Sequence, residues 1–117
     1  MTLLEFTRKA GLLGHRYAAA VTLVSPDTRA LAQELRLMKT GLLDWFGSRG
    51  DTGDVVQITV SCPRSLHPVV EQALRRVVMQ ETDLAAPLAR RVVTVSLLDE
   101  GGHALRELAW DRGLPRG

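Results

Sequence analysis

Cys62-Pro63-Arg64-Ser65 places the chain's one cysteine at the end of an alternating apolar run and just before a segment opened by proline. A thiol held between a strand and a helix can meet unpaired backbone N–H groups, which stabilise the thiolate and lower its pKa. That position makes Cys62 a candidate nucleophile or sulfur carrier. The same residue also completes the series Val56, Ile58, Val60, Cys62, and a strand points every second residue to one side. Read that way, Cys62 is core packing. A phosphatase loop does not fit, because the sixth position after the cysteine is Pro68 and not arginine.

The remaining reactive side chains form no constellation. His15, His67 and His103 lie in three separate regions, and a single cysteine cannot complete a common zinc site. No metal and no cofactor is expected. Asp51 and Asp54 flank a glycine-containing loop, and Asp99 and Glu100 sit in a turn, where solvation accounts for them without paired acid–base work. There is no phosphate-binding glycine loop, dinucleotide fingerprint or nucleophile elbow. Arg49-Gly50-Asp51 matches the cell-adhesion tripeptide, a match common by chance.

Arg75-Arg76 and Arg90-Arg91 are candidate phosphate contacts, the basis for a nucleic-acid-binding alternative. The 117 residues carry 15 basic and 13 acidic side chains, a net charge of +2, which is too small to imply nucleic acid by itself. All of the basic residues except Lys9 and Lys39 are arginine, a usage that fits a GC-rich genome. Exposed aromatics for base stacking are not evident.

The elements that must position these residues follow from periodicity. Residues 17–24 read as a strand with little polar character. Ser25 is a candidate N-cap, with Pro26 in the first turn, and Leu31, Leu35, Met38, Leu42 and Trp45 then form a helical stripe ending near Gly47. Residues 55–62 alternate as a second strand. A second helix opens near Pro68, presents Val70, Ala73, Leu74, Val77 and Val78 on one face, and ends near residues 82–83. Residues 91–98 give a third strand, Asp99-Glu-Gly-Gly102 a turn, and residues 103–110 a fourth strand. Residues 1–15, with Leu3, Leu4, Phe6, Ala10, Leu12 and Leu13, suit a short amphipathic helix, an extended arm being the alternative. Residues 111–117 read as a flexible tail behind a single domain of residues 16–110.

The expected fold is therefore α+β, a two-layer sandwich. Right-handed crossovers put both helices on one face of a small mixed sheet. The other face would show Thr22, Gln57, Thr59, Ser61, Thr94 and Ser96.

Cys62-Pro63 ahead of a helix, together with this element order, resembles the small sulfur-relay carriers, which implies a sulfur-carrying role for Cys62. In that family the cysteine follows the first strand, whereas here it follows the second. The order also resembles that of Alba-type chromatin proteins and of the carboxyl-terminal domain of bacterial initiation factor three, which implies nucleic-acid binding. Alba-type proteins use a basic hairpin arm, and Asp99 and Glu100 put acid in the corresponding turn.

With no catalytic set legible, the leading expectation is a non-enzymatic accessory or adaptor protein that contacts another protein or its own copy. The expected contact residues are Gln57, Thr59, Thr94 and Ser96 on the open face and Leu3, Leu4 and Phe6 at the amino end. Trp45, Phe46 and Trp110 are read as core packing or, alternatively, as anchors. A lone cysteine and the absence of a run of about 20 apolar residues point to a cytoplasmic setting.

Overall fold

The computed structural model describes residues 4–7, 17–24, 27–49, 55–89 and 91–112, and in it five strands form one sheet in chain order. The strands are β1 (Leu4–Thr7), β2 (Tyr17–Val24), β3 (Val55–Ser61), β4 (Arg91–Leu98) and β5 (Ala104–Arg112). The three central strands run parallel, and β1 and β5 flank them antiparallel. Two helices, α1 (Thr28–Arg49) and α2 (His67–Gln80), make the crossovers. Parallel neighbours require such crossovers, and their fixed hand stacks both helices on one side. The expected α+β sandwich is the fold observed.

One strand more is present than the periodicity predicts. Over its described residues the amino-terminal segment takes the extended alternative and not the helix, as the edge strand β1 with Leu4 opposite Leu23 and Phe6 opposite Val21. Leu-Glu-Phe-Thr alternates with period two, a pattern that pairs readily with the free edge of β2. Leu3, His15 and residues 113–117 of the expected tail lie outside the described residues. The fourth expected strand is longer than predicted, because β5 takes in Asp111 and Arg112.

The first helix is capped later than expected. Asp27 Oδ1 accepts the N–H of Ala30 at 2.8 Å, satisfying one of the donors that a helix start leaves open. Asp27 is thus the cap, two residues beyond Ser25, which lies outside the described residues. Leu31, Leu35, Met38 and Leu42 are buried as their spacing requires. In α2 the buried stripe is Val70, Leu74 and Val78, while Ala73 and Val77 are half-buried at its margin. Pro68 sits in the first turn, where a missing N–H costs nothing.

Nearly every inward position of the central strands is fully buried: Ala19, Val21 and Leu23 on β2, Val56, Ile58 and Val60 on β3, Val93, Val95 and Leu97 on β4. Cys62 extends this series at 2% exposure. Leu84 and Leu88, in the connection between α2 and β4, are also fully buried. Their i, i+4 spacing closes the core beneath that connection. Leu108 and Trp110 on β5 pack against its margin.

The β4–β5 turn is built around one carboxylate. Asp99 Oδ1 accepts the N–H groups of Gly101 and His103, each at 2.9 Å, and the Asp99 backbone carbonyl accepts the Gly102 N–H at 3.1 Å. Gly102 has φ +85°, a left-handed conformation that glycine adopts without steric cost.

Candidate functional site

The sheet face turned away from the helices has a defined chemical layout. Register aligns Thr22, Thr59, Ser96 and Glu107 in one row across β2, β3, β4 and β5. The neighbouring row is Ala20, Gln57, Thr94 and Ala109. The remaining outward positions of the central strands are Val24, Val55, Ser61, Val92 and Leu98. None of these central-strand residues is charged. Among the described residues, charge enters only on the flanking strands, as Glu5, Glu107 and Asp111, all exposed and all acidic.

Gln57 holds the centre of this face. Its Oε1 accepts the Thr94 hydroxyl. Its Nε2 donates to Ser96 Oγ at 3.1 Å, to the Ile58 carbonyl at 3.2 Å and to Thr59 Oγ1 at 3.4 Å. Both ends of the amide are thereby satisfied inside the protein. The amide can therefore lose its water at little cost, while Thr59 and Ser96, which accept from it, each keep a hydroxyl hydrogen to donate. Beside it, Gln57, Thr94, Ser96, Glu107 and Ala109 line a shallow depression of about 420 Å³.

The four sheet residues expected to contact a partner, Gln57, Thr59, Thr94 and Ser96, are therefore gathered in one network. Leu4 and Phe6 occupy β1 register positions opposite the core residues Leu23 and Val21, which have the helix-side parity, so they are not brought together with that network, and β2 lies between.

The other candidates are dispersed. Cys62 is buried, and desolvation pushes its thiol up, with the charge of Glu100 adding to the effect. Such surroundings keep the group a neutral thiol at pH 7, the reverse of what a nucleophile needs. Its backbone N–H is bonded to the Leu98 carbonyl at 3.1 Å. His67 is also buried, its Nε2 3.0 Å from the Leu98 carbonyl, and it joins the start of α2 to the end of β4. Among the described residues no three histidine, cysteine or carboxylate side chains converge as a metal site.

Arg75 and Arg76 are exposed on α2. Arg91 is not available in the same way: its guanidinium lies 4.3 Å from the centre of the Phe46 ring and donates to the Pro87 carbonyl. Arg90 lies outside the described residues. Trp45, Phe46 and Trp110 are partly buried against the core, in line with packing.

Sequence reasoning missed the trough between α1 and α2, which has Leu31, Leu35, Ala73 and Val77 along its lining and Arg36 and Arg76 on its two walls. The legible signal was α2's two arginines beside a margin of small apolar residues. It also missed Glu34, which is 7% exposed and has no hydrogen bond or ion pair among the described residues. No helix among the described residues is long and apolar enough to cross a membrane.

No protein-family model matches the chain, and neither a curated protein nor a solved structure matches it.

Proposed function

We propose that the protein is a non-enzymatic accessory or adaptor protein that acts through protein contact, and that its open sheet face packs against the same face of a second copy. The observation that carries this reading is the uncharged centre of that face, organised around Gln57 and rimmed only at the flanking strands by carboxylates. Depletion of charge at the centre with a polar rim is how specific interfaces are composed.

Self-pairing suits the chemistry. An isologous interface sets one patch against its own copy, so its groups must complement themselves. Hydroxyls and carboxamides both donate and accept, and a face made of them meets no obligatory donor–donor or charge conflict. The area is also adequate. Five strands spaced about 4.8 Å apart, with roughly seven residues rising about 3.3 Å each, offer about 550 Å² in projection. Side-chain relief brings this within reach of the roughly 800 Å² per partner of a standard interface. Two such sheets would stack about 10 Å apart as a sandwich. A cytoplasmic setting belongs to the same proposal and rests on the single buried cysteine.

The test is light scattering across a concentration series, with Thr59→Arg as the disrupting variant. Thr59 lies in the middle of the face, so an arginine there would bury an unpaired charge and raise the dimer dissociation constant about a hundredfold or more. Because the rim is acidic on both copies, salt should strengthen the association modestly. A wild type that stays at its 12.8 kDa monomer mass at all concentrations overturns the proposal. So does a dimer indifferent to Thr59→Arg.

A further inference from the structure

The helix layer, on the opposite side from the open face, carries an interaction surface of a different character. Both helices cross between parallel strands, so they run side by side in the same direction, and a trough of about 680 Å³ lies between them. One wall spans Thr28 to Lys39 on α1, and the other runs from Val69 on α2 to Glu81 just past its end. Each wall is about three turns, or roughly 17 Å, long. Leu31, Leu35, Ala73 and Val77 give the trough an apolar lining between polar side chains, and Val69 at its side is 49% exposed.

Its charge is unbalanced. On the helix layer, Glu71 is paired with Arg106 at 2.9 Å, and Glu81 and Asp83 hold Lys39 at 2.9 and 3.0 Å. Arg36 on one wall and Arg76 on the other have no carboxylate partner among the described residues. An apolar channel with a free guanidinium on each side fits a ligand that is apolar on one stripe and anionic on both flanks.

We infer that this trough seats a helix from a partner protein, about eleven residues long, with an apolar stripe at i, i+3, i+7 and i+10 between acidic flanks. The length follows from the walls, since three turns rise about 16 Å. The stripe meets the apolar lining, and the flanking carboxylates reach Arg36 and Arg76. Nucleic acid is the poorer fit. A phosphate backbone gains nothing from a leucine- and valine-lined floor, and Glu81 at one end of the trough repels it.

The experiment uses a fluorescein-labelled peptide of about fourteen residues, with leucine at the four stripe positions and glutamate elsewhere, followed by fluorescence anisotropy. The expected result is saturable binding that falls about tenfold or more in Arg36→Glu/Arg76→Glu, and likewise in Ala73→Trp, which fills the trough. Thermal melts and the light-scattering mass should match the wild type in both variants. This separates failure of the trough from failure of the open-face contact. Four results would each overturn the inference: equal binding of the peptide with lysine in place of glutamate, no effect of either variant, tighter binding of a single-stranded oligonucleotide of similar length, or no binding at about 1 mM peptide.

Discussion

Replacing Gln57 with alanine probes the open face twice, once in the single chain and once in the assembly. In the free chain the amide joins Thr94, Ser96, Thr59 and the Ile58 carbonyl, and the three hydroxyl residues are only half-buried and can turn to water. Each hydrogen bond in such a setting contributes about 0.5–1.5 kcal/mol net, and water recovers much of that, so the chain should lose about 1 kcal/mol. A urea midpoint would fall by roughly half to one molar at the slope expected for a domain of this size. In the proposed face-to-face dimer the same hydroxyls would have no water to turn to. Stranding those of Thr94 and Ser96 costs about 1–3 kcal/mol each, at least about 2 kcal/mol in all, which weakens dimerisation about thirtyfold or more. Urea unfolding at low protein concentration gives the first quantity and sedimentation equilibrium the second. A variant that loses stability by the expected amount while dimerising as well as the wild type would refute the reasoning, because the network would then be exposed in both states.

Three further outcomes follow from the fold. Glu34→Leu should stabilise the protein by about 1–2 kcal/mol, raising the melting temperature by several degrees, because it replaces a buried carboxylate that has no described partner; an unchanged or lower melting temperature would count against this. Gly102→Ala should cost about 1–2 kcal/mol, since φ +85° forces a Cβ into a left-handed conformation, and thermal denaturation measures it. The backbone N–H of His103, joined by that of Gly101, holds the Asp99 carboxyl below its ordinary range. A depressed folded pKa means that this contribution is fully present above the unfolded value, near pH 4, and is lost as pH falls through the folded value. The stability gap between wild type and Asp99→Asn should therefore be open at neutral pH and close under acid, as urea titrations at stepped pH would show.

How much of this was legible in the sequence differs from element to element. The central strands and both helices were readable because their periodicities are sustained: Val56-Ile58-Val60-Cys62 cannot be a helix face, and Leu31-Leu35-Met38-Leu42 cannot be a strand face. The open face followed from the same alternation, since Gln57, Thr59, Thr94 and Ser96 are simply the other parity. Their union through one carboxamide was not legible, because cross-strand neighbours such as Gln57 and Thr94 are set by strand register, which no local pattern states. β1 stayed open between helix and extended arm because four residues are too few for period to separate the two. Asp27 took the cap from Ser25 because either residue can accept the first free N–H groups, and only the helix start decides between them. Leu84 and Leu88 looked like loop residues beside Pro87, yet tertiary packing buries them completely. The trough depends on how far apart two helices lie, which the sequence marks only through the arginines and small apolar residues that border it on α2.

The central claim, that the uncharged sheet face is the contact surface between two copies, is tested most directly by amide NMR spectra recorded over a range of protein concentrations. The expected result is a tumbling time that rises from that of a 12.8 kDa particle toward twice that mass, with shift changes centred on Gln57, Thr59, Thr94 and Ser96. A tumbling time that stays monomeric, or shift changes concentrated on α1 and α2 or along the outer edge of β5, would contradict it.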